Sequence, residues 1–111
     1  MPDLELSQSY ITELRRGSLT MAVLCCLREP RYGYALLEVL QSKQVDMEAN
    51  TLYPLLRRLE SQGLLESSWD TTGSRPRKYY VINALGESIL AALLEQWRCM
   101  QASMALMEGE E

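Results

Sequence analysis

Residues 50 to 60 carry side chains in a pattern that could contact nucleic acid. At about 100° per residue, one face of a helix in this region would carry Asn50, Pro54, Arg57 and Ser61. Tyr53 and Arg58 would lie on the two flanks of that face. Arginine and amide groups can donate hydrogen bonds to base edges, and hydroxyl groups can reach phosphates. The same pattern is also typical of an amphipathic helix with a solvated basic face, so this run alone leaves both interpretations open.

The other side of the same run is apolar and predicts the helix itself. Four leucines follow the i, i+3, i+4, i+7 spacing of a helix packed on a core: Leu52, Leu55, Leu56 and Leu59. Gly63 is expected just after its C-terminal cap, whereas three residues are candidates for its N-cap: Asp46, Glu48 and Asn50. A shorter helical pattern at residues 35–42 precedes it, so the pair predicts a helix-turn-helix.

A β-hairpin is predicted to follow this helix. Residues 64–69 and 77–82 have strand character, and residues 70–76 between them are typical of a loop. Arg75, Arg77 and Lys78 lie close to the hairpin tip with no acidic residue between residues 71 and 80. We expect them to lie along a phosphate backbone, although a solvated charged loop has the same composition.

Two helices are expected before the helix-turn-helix. The first, residues 7–16, would end at Gly17, and the second would span residues 18–28. The second is apolar nearly all round, so both of its sides must be covered. One side can face the domain core, and a second subunit could cover the other.

The last predicted helix runs from about Ala84 to about Met107 with Asn83 as its N-cap. Its apolar residues follow alternating spacings of three and four, as in a coiled coil, and are expected to form a dimer interface: Leu90, Leu93, Trp97, Met100, Met104 and Met107. A small domain cannot bury so long a helix by itself. The seam therefore predicts pairing with a second copy, and its methionines and tryptophan could also form a flexible pocket for a flat apolar ligand.

Charge and composition place this chain among folded, globular proteins. Its 111 residues are 47% hydrophobic and 23% charged, with a net charge of −4. All of that negative charge is accounted for by residues 87–111, so residues 1–86 are neutral overall. The longest apolar run, residues 21–27, is too short for a membrane span, and residues 1–5 do not resemble a signal peptide. A cytoplasmic protein that does not enter membranes is expected.

Metal sites and common catalytic arrangements are not indicated. The chain has no histidine, and Cys25, Cys26 and Cys99 have neither disulfide-framework nor metal-ligand spacing. The adjacent pair is interpreted as core thiols, with redox sensing as the alternative. No glycine-rich phosphate loop or nucleophile with paired carboxylates is present either, so neither an enzyme nor a cofactor is predicted.

Several motifs together resemble those of the PadR-like transcriptional regulators. They are Tyr32-Gly33-Tyr34, residues 51–60 (TLYPLLRRLE), Gly63-Leu64 and residues 75–80 (RPRKYY). The resemblance extends from about residue 14 to about residue 97. It implies a mainly α fold with a small β-hairpin, namely a winged helix-turn-helix in residues 1–83 followed by a dimerisation helix and acidic tail in residues 84–111.

The resemblance also implies a function. Such regulators are typically homodimeric repressors that place one recognition helix per subunit in successive major grooves of a two-fold operator. Some of them bind planar aromatic compounds at the dimer interface, which would place a pocket around Trp97, Leu93 and Met100. Asn50, where the family usually has glycine, and Glu48, where it usually has a small polar residue, depart from the pattern.

The function predicted from the sequence is a DNA-binding transcriptional regulator, a repressor of its own or a neighbouring operon. The residues expected to contact double-stranded DNA are Tyr34, Asn50, Thr51, Tyr53, Pro54, Arg57, Arg58, Arg75, Arg77 and Lys78. The alternative is a winged-helix module that binds protein instead of DNA, with its seam paired to a different helix. Such a module would have no need for a basic hairpin tip beside a basic helix.

Overall fold

The structure, a computed structural model, describes residues 2–109. Its elements in chain order are α1 Pro2–Cys26, β1 Arg31–Tyr32, α2 Gly33–Ser42, α3 Ala49–Ser61, β2 Leu65–Asp70, β3 Arg77–Ile82 and α4 Ala84–Glu108. The predicted fold class is confirmed, since α2 and α3 form a helix-turn-helix that is followed by a β-hairpin wing and a long helix. Two acidic residues of the predicted tail, Glu110 and Glu111, lie outside the described residues, as does Met1.

The core is built almost entirely from leucine. The four leucines predicted on one face of α3 are all buried, with exposed fractions of 0%, 9%, 0% and 1%: Leu52, Leu55, Leu56 and Leu59. They pack with Val23 and Leu24 of α1, Leu36 and Leu40 of α2, and Leu90 of α4. Within residues 3–109 no buried side chain is polar or charged. Burial of apolar side chains is therefore the main interaction among the core side chains.

The prediction of two N-terminal helices was wrong, because α1 is one helix of 25 residues that passes through Gly17. A glycine in a helix interior costs only about 1 kcal/mol relative to alanine, and no proline follows to end the helix. A Cβ at Gly17 would meet nothing within 4 Å, so the glycine marks no close approach. Hydrogen bonds from Ser18 Oγ to the Leu14 carbonyl and from Thr20 Oγ1 to the Arg16 carbonyl span the junction.

The sheet has three strands in the order β1-β3-β2, one more than the predicted hairpin. The added strand β1 has only two residues, which pair antiparallel with β3 as Arg31 with Tyr80 and Tyr32 with Tyr79. A two-residue strand is too short for a periodic pattern in the sequence. Its pairing attaches the connection between α1 and α2 to the wing.

Gly63 follows the last turn of α3, as predicted, and directs the chain into β2. Its φ of +82° is in the left-handed region, where glycine is favoured. The Gly63 amide donates to the Glu60 carbonyl and the Leu64 amide donates to the Leu59 carbonyl, each at 3.0 Å. These two bonds form a Schellman motif, which satisfies carbonyls at the helix end. The hairpin therefore begins directly beside α3.

The start of α4 is fixed against the base of the hairpin. The predicted N-cap is confirmed, since Asn83 Oδ1 accepts from the Gly86 amide at 2.8 Å. Asn83 Nδ2 also donates to the Gly63 carbonyl at 2.8 Å. A Cβ at Gly86 would overlap the Leu64 carbonyl oxygen and the Ile82 side chain, so glycine permits this close packing. The turn after α3 and the start of α4 are thus joined by one side chain.

The predicted dimer seam divides into two parts along α4. Leu90 was predicted at the dimer interface and this is wrong: its side chain is 0% exposed, inside the core of its own subunit. Leu93 is partly buried against the same core. The seam residues beyond it are all exposed, by 47%, 59%, 44% and 53%: Trp97, Met100, Met104 and Met107. The apolar stripe thus continues past the end of the domain.

The chain is more extended than a compact protein of its length. Its radius of gyration is 16.6 Å, against about 13 Å for a compact domain of this size. The longest of its three extents is 61 Å. The exposed large apolar residues include five on the N-terminal half of α1: Leu4, Leu6, Tyr10, Ile11 and Leu14. Both long helices therefore carry apolar side chains on surfaces that the domain itself does not cover.

Candidate nucleic-acid interface

The polar face of α3 points to solvent. Burial of its leucine stripe directs the opposite side outward. Four of the residues predicted to contact DNA are exposed there: Asn50, Thr51, Pro54 and Arg57. Glu48 is the N-cap residue, one of the three candidates, and its backbone carbonyl accepts from the amides of Thr51 and Leu52 at 3.0 Å. Its side chain makes no capping hydrogen bond. Pro54 is the sixth residue of α3, beyond its first turn, so the helix lacks the backbone hydrogen bond to the Asn50 carbonyl.

Tyr53 lies on the flank of α3 that faces α2 and the wing, and it is 37% exposed. A Cβ at Gly33 would come within 2.8 Å of Tyr53 Oη and 2.9 Å of Cζ, so the phenol ring lies directly on the glycine backbone. A larger residue at the start of α2 would have to push this ring aside. Tyr53 therefore packs from α3 onto α2, and its predicted contact with phosphate stays a prediction.

The wing tip presents two exposed arginines, Arg75 and Arg77, as predicted. The Arg77 guanidinium lies 4.8 Å from the centroid of the Tyr32 ring, a cation–π contact between β3 and β1. The loop is ordered by Asp70, whose carboxylate accepts from the Thr72 hydroxyl at 2.6 Å and from the Thr72 amide at 3.0 Å. These hydrogen bonds lower the pKa of Asp70. The tip is thus a loop ordered by hydrogen bonds, and Arg75 and Arg77 are exposed on it.

Lys78 is placed differently from the two arginines. Its Nζ lies 2.9 Å from Glu60 Oε1 on α3, and both side chains are only about 30% exposed. The other carboxylate oxygen of Glu60 accepts from Ser67 Oγ on β2. One carboxylate thus connects α3 to both strands of the wing. In the free protein Lys78 is an internal ion-pair partner, which leaves its predicted contact with phosphate as a prediction.

A groove of about 630 Å³ lies between α3 and the wing. Its lining is aromatic and basic, without an acidic residue: Tyr32, Gly33, Tyr34, Tyr53, Trp69, Arg75, Pro76, Arg77, Lys78 and Tyr80. Tyr34 and Trp69 are 59% and 64% exposed. Trp69 was not predicted as a site residue, because strand alternation places it on the same side as the buried Leu65. Strand β2 leaves the core between Leu65 and Trp69, and the sequence does not show where this happens.

A second groove, of about 310 Å³, lies on the opposite flank of α3, between that helix and α1. Its lining residues are Arg16, Leu19, Thr51, Pro54, Leu55 and Arg58. Arg16 was not predicted as a site residue from the sequence, because it lies near Arg58 only through the packing of α1 beside α3. Arg58 was predicted on a flank of the helix, and it is exposed there.

Comparison with known proteins assigns the family. Residues 23–92 match the family model of the transcriptional regulator PadR-like family. The chain belongs to the PadR-like family. The matched region runs from the end of α1 to the first half of α4, so it includes both grooves beside the recognition helix except for Arg16 and Leu19. DNA-binding transcriptional regulation is the function at the level of this family.

Solved structures and a curated relative agree with this assignment. A PadR family transcriptional regulator from Eggerthella lenta is 47% identical with a TM-score of 0.89, covering 100% of this chain and 99% of that one. A PadR-like transcription factor from Bacteroides fragilis is 31% identical with a TM-score of 0.77, covering 89% and 98%. An uncharacterised protein from Lysinibacillus sphaericus is 30% identical over 106 residues, covering 90% of this chain and 97% of that protein.

The cysteines of this PadR-like chain do not form a metal site in the described region. Cys25 and Cys26 are partly buried and Cys99 is exposed, and burial raises the pKa of the Cys26 thiol. Across residues 2–109, no group of three or more potential metal-ligating side chains comes together. None of the helices in that range is both long and apolar enough to cross a membrane.

Replacing Glu60 by glutamine should reduce stability in a pH-dependent way. Hydrogen bonds from Ser67 and Lys78 lower the pKa of Glu60 below its unfolded value of about 4.3. The stabilisation is therefore present above that pH and is lost as the pH falls through the folded-state pKa. We expect Glu60→Gln to lower the free energy of unfolding by about 1 kcal/mol at pH 7, and by less at pH 3.

Urea unfolding followed by circular dichroism at several pH values measures this difference. Glu87→Gln is the control, because Glu87 forms only a longer, exposed ion pair with Arg28 at 3.6 Å. A loss of stability that is the same at pH 7 and pH 3 would show that the Glu60 carboxylate does not connect α3 to the wing through its charge.

Proposed function

We propose that this PadR-like chain acts as a homodimeric repressor that binds a two-fold operator. The observation that carries the proposal is the exposed polar face of α3 between two grooves that contain arginine. The buried leucine stripe fixes which side of α3 faces outward. A major groove about 12 Å wide admits a helix in this orientation.

Residues on α3 have the chemistry to read bases. Asn50 can make a bidentate contact with adenine, and Arg57 can do so with guanine. Both are exposed on the same face of the helix. Thr51 can donate to phosphate, while Arg58, Arg75 and Arg77 carry the charge that attracts the DNA backbone. Tyr34 and Trp69 line the groove beside the wing and are exposed, so they would pack against the sugar–phosphate backbone.

The dimer is proposed to form through residues 84–111 together with α1. The exposed part of the α4 stripe is suited to pack against a second copy: Trp97, Met100, Met104 and Met107. Leu93, at the edge of the subunit core, would be covered further. Exposed apolar residues on the N-terminal half of α1 offer a complementary surface. Two such subunits would place their recognition helices about 34 Å apart, one turn of duplex DNA.

A small planar, apolar effector is proposed to relieve repression at the dimer interface. Trp97 is 47% exposed and Met100 is 59% exposed, on the same side of α4 as Leu93. An indole ring can stack on a flat ligand, and methionine adapts to its shape. The ligand can change DNA affinity only if it binds the two arrangements of the dimer with different affinity.

Single arginine substitutions should separate base reading from phosphate binding. Arg57→Ala is expected to cost about 1–3 kcal/mol on operator DNA and much less on random duplex. Arg75→Ala should weaken binding to both and lower the salt dependence by about 0.9 per subunit. Gel shifts at stated salt, beginning with the DNA upstream of the gene, provide the measurement.

Arg28→Ala is the matched control, since Arg28 is bound to Glu87 of α4 and lies outside both grooves. It should bind both kinds of DNA like the unaltered protein. Equal losses for Arg57→Ala on operator and random DNA would contradict the assignment of base reading to α3.

A charge introduced into the exposed α4 stripe should dissociate the dimer. Met104 lies on the stripe and is 44% exposed, whereas Leu106 is 75% exposed on the opposite side of the helix. Light scattering after gel filtration should give the mass of one 12.7 kDa chain for Met104→Glu and of two chains for Leu106→Glu. The unaltered protein should also have the mass of two chains. A single-chain mass for the unaltered protein, or a two-chain mass for Met104→Glu, would show that the interface is assigned incorrectly.

Planar dyes should quench the fluorescence of Trp97 if the effector pocket exists. The chain has a second emitter, Trp69, at the wing groove, so the comparison needs single-tryptophan variants. Trp69→Phe should retain saturable quenching, and Trp97→Ala should lose it. Equal quenching in the two variants would remove the proposed pocket.

A further inference from the structure

We propose that α1 provides a second phosphate-binding flank for the recognition helix, formed by Arg16 together with Arg58. The ligand is the sugar–phosphate backbone of duplex DNA. This inference rests on the proposed DNA-binding function and extends it to a helix outside the helix-turn-helix and the wing.

The two arginines face one groove from different helices. Arg16 comes from α1 and Arg58 from α3, and both line the groove of about 310 Å³ between these helices. Both are exposed, and the rest of the lining is apolar or carries a hydroxyl. A phosphate at the mouth of this groove could therefore accept from two guanidinium groups without meeting a carboxylate.

Neither arginine is neutralised within the described part of the chain. The ion pairs found there use Arg28, Arg31 and Lys78 as their cations. The adjacent Arg15 is placed differently: it donates to the Asp46 carbonyl and shares a neighbouring groove with Asp46 and Glu48. Arg16 and Arg58 are thus the positively charged side chains without an ion-pair partner among the described residues that line this groove.

The flanks of α3 explain why a second cationic site is useful. At about 100° per residue, Tyr53 and Glu60 lie on the side of α3 toward the wing, and Thr51 and Arg58 lie on the side toward α1. The Glu60–Lys78 ion pair and the groove that holds Arg16 agree with these two directions. A helix in a major groove has one phosphate backbone on each side, so the wing can serve one backbone and α1 the other.

Dimerisation through α1 would leave Arg16 accessible. Arg16 and Val23 are seven residues apart, which places them on nearly the same side of α1, and Val23 is buried toward the domain. The exposed apolar residues Leu6, Tyr10 and Leu14 lie on a different side, about 80° to 160° around the helix from Arg16. A partner helix on that apolar side would not cover the groove.

Salt-dependent DNA binding by arginine variants tests this proposal. Fluorescence anisotropy would be measured for the full-length protein on operator and random duplex between about 50 and about 200 mM salt. Arg16→Ala should lower the affinity for both by the same factor and reduce the salt slope by about 0.9 per subunit. Arg58→Ala, on the α3 side of the groove, should have the same effect. Arg16→Lys keeps the positive charge and should therefore keep the salt slope of the unaltered protein.

Arg98→Ala is the matched control, because Arg98 is an exposed arginine of α4 that lines neither groove. It should keep the slope of the unaltered protein. A slope unchanged by Arg16→Ala, while the unaltered protein binds DNA, would overturn the second flank and leave the proposed function standing, whatever Arg58→Ala does. An unaltered protein that does not bind duplex DNA would overturn both.

Discussion

The orientation of the recognition helix depends on the burial of one leucine stripe. Leu52, Leu56 and Leu59 are at most 1% exposed, and no polar side chain shares the core within residues 3–109. Each fully buried leucine contributes about 1.5–3 kcal/mol relative to an exposed one. Rotating α3 by one residue would bring part of the stripe into water and polar groups into the core. The outward direction of Asn50 and Arg57 is therefore set by the apolar side of the same helix.

Polar contacts then fix the wing relative to that helix. The Schellman turn at Gly63 starts β2 beside α3, and Asn83 joins this turn to the start of α4. Glu60 contacts both wing strands through Ser67 and Lys78. Each of these contacts is modest in energy, but together they leave the hairpin little freedom to swing. The base and the middle of the hairpin are consequently fixed beside α3, and the tip with its two exposed arginines extends from there.

Local patterns in the sequence predicted what local physics determines. The leucine spacing, the left-handed glycine and the asparagine cap specified α3, its end and the start of α4. The predictions for α1 and for the dimer seam were wrong where other interactions outweighed a local signal or where the signal allowed two structures. Gly17 does not end α1, because one glycine costs too little to break a long helix. Leu90 belongs to the subunit core, because a heptad pattern does not say which protein surface covers each part of it.

The parts of the site that were missed depend on contacts between distant segments. Arg16 and Arg58 are 42 residues apart in sequence, and only the packing of α1 on the domain brings them to one groove. Trp69 belongs to the aromatic groove because the wing extends beyond the core, which strand alternation does not reveal. Net charge was equally uninformative, since the chain total of −4 conceals a cationic surface around α3.

The continuity of α1 has a mechanical consequence. A helix of 25 residues is close to a rigid rod of about 37 Å, with exposed apolar residues near one end and Arg16 beside the recognition helix further along. In the proposed dimer, a small tilt imposed at the contact between subunits would displace Arg16 beside α3, without a hinge in between. Had Gly17 broken the helix, that motion would have been absorbed at the break.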